Sequence, residues 1–180
     1  MNNKRQLLTD TALQLFYQRG IHAVGINEIL AQAGVAKKTL YHHFDSKEAL
    51  LLATLEQRHE VFTGWLQQQL SDTQAQTNIR QLFNALQRWF NNKEAQLGEF
   101  NGCFFINTSA EFSDPDSVIG QRCRAHKQRV KQLIRAHCGR QQQADTVYFL
   151  MEGAIVAAHT GGQRQAARHC LTLLQSQLAG

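Results

Sequence analysis

INEILAQAGVAKKTLYHHFDSK, residues 26–47, decides the fold. Ile26, Ile29, Leu30 and Ala33 recur at i, i+3, i+4 and i+7, the spacing of one helix face. Gly34 follows, where a chain leaving a helix most easily takes positive φ. Val35 then reads as a buried pin. A second helix, Ala36 to His42, sets Lys37, Lys38, Thr39, Tyr41 and His42, with His43 just beyond, around one apolar residue, Leu40. So short and polar a helix is poorly suited to a core. It suits a DNA major groove, which admits one α-helix and offers donors, acceptors and thymine methyls to its side chains. A metal reading of His42-His43 is poor, since neighbouring positions on a helix point apart.

Three linked blocks carry a resemblance: Gly-Ile-Asn-Glu-Ile from Gly25, Ala-Gly-Val-Ala-Lys-Lys-Thr-Leu-Tyr-His-His-Phe from Ala33, and Asp-Ser-Lys-Glu-Ala-Leu from Asp45. Together they resemble the helix-turn-helix signature of the TetR family of bacterial transcriptional regulators, over Thr11 to Leu52. The resemblance implies an all-α fold of about nine helices. A three-helix DNA-binding head, residues 1–46, would precede a larger helical body, 47–180, that binds an effector and makes a dimer. It also implies roles within the head. Lys37 and Lys38 open the recognition helix, the end that meets base edges. Thr39 faces a phosphate or a thymine methyl, Tyr41 is a phosphate anchor, and His42 and His43 touch base or backbone. Lys47 resembles a second phosphate clamp. Gly25 and Asn27, at the start of the preceding helix, complete the expected DNA-binding set. Two positions depart from the family pattern. Gly25 stands where Ser or Thr is usual and offers only backbone N–H, and Lys38 stands where a small residue is usual.

Composition agrees with one or two small domains. The 180 residues are 43% hydrophobic and include one proline, with little alternating pattern, which favours helices throughout. Net charge is +5 with a pI near 9.2, which permits a polyanionic partner. The head is not the basic part. Residues 1–50 hold six Lys/Arg and four Asp/Glu, and the rest hold thirteen and ten. Its case rests on placement. No apolar run suggests a signal peptide or a membrane span, so a cytoplasmic protein is expected. Cys103, Cys123, Cys138 and Cys170 form no CxxC pair or zinc spacing, and are read as separate reduced thiols with no metal or cofactor.

In chain order, the first helix spans Asn3 to Gln18, with Leu8, Ala12, Leu15 and Phe16 as its apolar stripe and Gly20 as its left-handed cap. Gly25 caps the second helix, tied back by Glu28. Asp45 and Glu48 form a capping box for a fourth helix, Ser46 to Leu70, which leaves the head and enters the body. Lys47 in its first turn is mildly unfavourable to that helix, so another interaction must justify it. A fifth helix spans Asn78 to Phe90, a short buried one 102–112, and another runs from Asp114-Pro115 to His137. The last two span Gln141 to His159 and Arg164 to Leu178.

The final helices carry the expected dimer interface, Phe149, Gly153, Val156, Ala157, Leu171, Leu174 and Leu178, two helices from each subunit. One recognition helix reads few base pairs; two set a helical turn apart read a palindromic operator. The expected effector site comprises Phe62, Trp89, Cys103, Phe104, Asn107 and Tyr148. Asn107 among apolar residues needs a partner. Cys103 lies near a helix start, and some repressors resembling this chain in the Gly-Cys stretch sense electrophiles or oxidants through that cysteine. The run Arg122, Arg124, Lys127, Arg129, Lys131, Arg135 and Arg140 has no acidic residue between its members and reads as a solvated face.

The functional expectation is a DNA-binding repressor, a homodimer on a palindromic operator, released by a small molecule or by an electrophile or oxidant. The alternative is a DNA-bound adaptor of the same fold whose body holds a protein partner. A DNA-dependent partner without small-molecule release distinguishes it. An enzyme is disfavoured: no Gly-rich phosphate loop or nucleophile elbow is present.

Overall fold

The computed structural model describes residues 2–178, with side chains over 3–176, and every regular element among them is a helix. The helices are α1 (Asn2–Arg19), α2 (Ile26–Ala33), α3 (Lys37–His43), α4 (Lys47–Gln69), α5 (Ala75–Phe90), α6 (Phe104–Glu111), α7 (Val118–His137), α8 (Gln141–Thr160) and α9 (Ala166–Leu178). Backbone contacts gather them into two units, Met1–Glu60 with Phe104–Ala125, and Val61–Cys103 with His126–Gly180. This grouping follows packing, so it cuts the chain elsewhere than the functional division expected at 46/47. Both α4 and α7 contribute to each unit.

In the first unit Leu8, Ala12, Leu15 and Phe16 of α1 are buried as the stripe required. They share a core with Ile21, Val24, Ile29, Val35, Leu40, Phe44, Leu50 and Leu51. Gly20 has φ +87°, so the chain turns there at no Cβ cost. Gly34 takes φ +63° and donates its N–H to the Leu30 carbonyl, ending α2.

Three caps differ from expectation. Gly25 does begin α2, but the Glu28 carboxylate pairs with Arg19 instead of folding back on the cap. The long Arg19 side chain presents a cation, a stronger partner than a neutral amide. Ser46, not Asp45, caps α4: its Oγ accepts the Ala49 N–H at 3.0 Å. Ser117, not Asp114, caps α7, its Oγ accepting from Gly120 N at 3.1 Å. Asp114 Oδ1 instead accepts the Asp116 N–H at 2.9 Å, a local turn of the kind Asp favours, and this delays the helix to Val118.

In the second unit the core is aromatic. Phe62 lies 5.3 Å from Trp65 and 5.8 Å from Trp89, and Trp89 meets Phe100 edge-on at 4.9 Å. Helix α5 starts at Ala75, earlier than expected, which puts Asn78 inside it and fully buried. Burial is tolerated because every polar atom of that side chain is used: Oδ1 accepts from Asp72 N, and Nδ2 donates to the Asp72 and His137 carbonyls.

Candidate functional site

The expected recognition element is α3. Leu40 is its only fully buried residue, at 0% exposure, and plugs the helix into the head. Lys37, Lys38, Tyr41 and His42 are exposed, while Thr39 and His43 are half-buried. Tyr41 keeps 47% of its surface on the outward side of α3. Gly25 and Asn27 are exposed at the start of α2, with open space around the Gly25 Cα. The His42 and His43 rings do not point apart as expected. They meet edge to face, centroids 5.0 Å apart, because side chains on a helix's last turn can lean together. No third His, Cys, Asp or Glu joins them in a cluster among the described residues.

Lys47 is half-buried. Its ammonium donates to the Ile21 carbonyl at 2.6 Å and lies 5.7 Å from the centre of the Phe16 ring. These contacts justify a cation in the first turn of α4. The hydrogen bond uses one of its three donors.

The six expected effector residues divide between the units. Phe104 and Asn107 belong to the first, where the Phe104 ring meets Tyr17 edge-on at 6.0 Å and Asn107 is half-buried on α6. Phe62, Trp89, Cys103 and Tyr148 belong to the second. Cys103, buried at 6% exposure, immediately precedes α6. Its sulfur accepts from the Lys127 ammonium at 3.4 Å, and Lys127 is paired with Glu152 at 2.6 Å. Burial alone would lower the Lys127 ammonium's pKa, but Cys103 and Glu152 beside it raise it above the ordinary value. The Lys127 cation is therefore held beside the Cys103 sulfur. Burial also pushes the Tyr148 phenol up, with Glu152 adding to the effect and Lys127 opposing it. Gly102, at φ +80°, lets the chain turn into Cys103, and the His159 ring occupies the space a Cβ there would need. By contrast the Cys138 thiol is pushed up to about 12 by burial and is inert at neutral pH.

Lys127 and Glu152 were missed in the sequence because the basic run on α7 read as solvated. Arg124, Arg129, Arg135 and Arg140 are exposed as that reading has it, but Arg122, Lys127 and Lys131 are half-buried, and most of the run is paired. Arg122 pairs with Glu56, Arg124 with Asp116 at 3.3 Å, and Lys131 and Arg135 with Asp145 at 3.4 and 2.9 Å. The partners come from other elements, invisible to a scan along α7.

On α8, Phe149 and Val156 are exposed at 63% and 42%, Gly153 faces open space, and Ala157 is half-buried. On α9, Leu171 is half-buried, but Leu174 turns into its own unit at 3% exposure and the outward leucine is Leu173, at 56%. The side chain of Leu178 lies outside the described residues.

The family model described as bacterial regulatory proteins, tetR family, matches residues 8–54, which hold α2, α3 and their caps. Over those residues the chain matches the TetR family. Its similarity to the transcriptional repressor NemR of Escherichia coli is 34% identity over 113 residues, 63% of this chain and 56% of NemR. That sequence match spans little more than half the length of the relative. To the repressor ComR of Escherichia coli it is 26% identical over 78% of this chain and 67% of ComR. Among solved structures, a TetR-family regulator from Streptomyces coelicolor superposes with a TM-score of 0.80 at 28% identity, over 96% of this chain and 87% of that one. The reduced form of NemR gives 0.78 at 26%, over 96% of both. These relatives are named as transcriptional regulators, and the chain shares their all-helical fold with its N-terminal helix-turn-helix. No helix among the described residues is long and apolar enough to cross a membrane.

Proposed function

We propose that this chain is a cytoplasmic transcriptional repressor that binds a palindromic DNA operator as a homodimer and lets go when an effector reaches its body. The observation that carries the reading is α3, a helix anchored by Leu40 alone that offers Lys37, Lys38, Tyr41 and His42 outward. The exposed apolar residues Phe149 and Val156, two turns apart on one face of α8, with Leu173 on α9, support the dimer, since apolar stretches gathered on a face mark interaction surfaces. The effector reading favours a thiol-reactive compound or oxidant, supported by the cation held 3.4 Å from Cys103.

The test uses duplex DNA from immediately upstream of the protein's own gene, first in reductant, then after iodoacetamide or hydrogen peroxide, beside Cys103→Ser. Release of the wild type with retention by Cys103→Ser is the expected result. Equal behaviour of both proteins would make Cys103 a packing residue.

The contacts at the head predict two distinct phenotypes. Tyr41→Ala weakens binding to DNA of any sequence and flattens the salt dependence by about one unit of slope for the lost phosphate contact. A titration from low to high salt reads this directly, and an unchanged slope removes Tyr41 from the phosphate contacts. Lys37→Ala instead relaxes sequence preference, losing roughly 1–3 kcal/mol on the operator if Lys37 meets a guanine. Equal losses on operator and random DNA would assign Lys37 to the backbone.

A further inference from the structure

We propose that Glu111 and Lys47 form a two-sided latch on the Ile21 peptide, through which α6 and α4 set the position of the recognition helices. The proposal rests on the head reading DNA. Ile21 and His22 make the turn between α1 and α2. The Glu111 carboxylate, on the last residue of α6, accepts both of their backbone N–H groups, Oε1 from Ile21 at 2.8 Å and Oε2 from His22 at 2.6 Å. The Ile21 carbonyl accepts from the Lys47 ammonium at 2.6 Å. An anion therefore holds one side of this residue's backbone and a cation the other. The two come from helices that lie 26 and 90 positions along the chain.

Such a turn ordinarily satisfies its amides locally or with water. Here a charged group is spent on it, and charge-assisted bonds to backbone amides are short and strong. Several neighbours are shaped to fit. A Cβ at residue 20 would stand 3.2 Å from Glu111 Oε1, and Gly20 leaves that space open. The His22 ring stacks on Phe112 at 4.9 Å, and its Nδ1 lies 3.2 Å from Glu111 Oε2. At its other end α6 meets α1 again, through Phe104 and Tyr17. Beside the latch a half-open pocket of about 200 Å³ is lined by Ile21, His22, Lys47, Glu48, Leu51 and Phe112. A displacement of α6 would pull on the two amides directly, and through them on α2 and α3.

A latch that fixes the recognition helices favours sequence-specific binding, where geometry must match base edges, and is indifferent to non-specific binding, which depends on phosphate charge. To test this, the wild type selects its best duplex from a random pool. Wild type, Glu111→Gln and Glu111→Ala are then titrated with that duplex and with a random one at one salt concentration. Amide exchange at Ile21 and His22 and thermal unfolding are followed in each. The expected result is a roughly 5- to 150-fold weaker affinity of Glu111→Ala for the selected duplex, the range of typical coupling between sites. Glu111→Gln, which keeps one acceptor, falls between, random-duplex affinity is unchanged, and exchange at residues 21 and 22 accelerates. Selected-duplex affinity that is unchanged or raised overturns the latch. So does a parallel loss on both duplexes with loss of cooperative unfolding, which would make Glu111 a residue of the fold alone. A wild type that enriches no duplex overturns the DNA reading itself; enrichment with unaltered variants overturns only the latch.

Discussion

Trp65→Ala lowers the free energy of unfolding by roughly 3–5 kcal/mol, the cost of deleting a large aromatic from a packed core. The indole is 1% exposed on α4 and touches Phe62 and Trp89, with centroids at 5.3 and 6.2 Å. Its Nε1–H donates to Glu94 Oε2 at 3.1 Å. Removing the ring leaves a cavity that stiff aromatic neighbours fill poorly, and it strips a donor from a carboxylate that also binds Arg88. Trp65→Phe separates the two effects. It keeps most of the apolar volume, so its loss is about 1–3 kcal/mol, chiefly the hydrogen bond to a charged acceptor. Urea titration with an unchanged slope measures both. A Trp65→Ala loss under about 1 kcal/mol, the size of an ordinary surface change, would contradict the buried cluster.

Leu40→Ala has the next largest effect, roughly 2–5 kcal/mol. It is the only fully buried residue of a seven-residue helix too short to stand alone. Without its plug α3 loosens from the head, and operator affinity falls although Leu40 meets no DNA. Tyr41→Ala is the opposite case. With 47% of its surface open, it changes stability by no more than about 0.5 kcal/mol while weakening DNA. Thermal unfolding and DNA titration of the two variants together separate a residue that holds the reader from one that reads. A Leu40→Ala protein with wild-type stability would show that α3 is held by something other than its leucine.

The division between these two residues was legible in the sequence. Leu40, the one apolar residue of a polar helix, is buried at 0% exposure, and Tyr41 beside it stays open at 47%. The helices themselves followed from local rules: Gly20, Gly34 and Gly139 end or turn helices at positive φ, where a side chain is strained. Caps were less legible. Asp45 and Ser46 are both good capping residues, and so are Asp114 and Ser117. Which oxygen wins depends on a backbone rotation of one or three residues that propensity does not resolve. Leu173 and Leu174 show the same limit on α9: adjacent positions differ by about 100° around the axis, so a small change of phase exchanges the outward leucine for the inward one.

What the sequence by itself determined is the helical architecture, the recognition helix and the side chains it presents. All of these arise from neighbours within a turn or two, where periodicity and capping act. Only the tertiary structure decided where the charges go. Lys127 looked solvated and is held between Cys103 and Glu152, 24 and 25 positions away. Glu111 carried no sequence signal and binds amides 90 and 89 positions away. An ion finds its partner through packing that brings distant segments together, and burial then makes the pairing obligatory, because a lone charge out of water is too costly to keep.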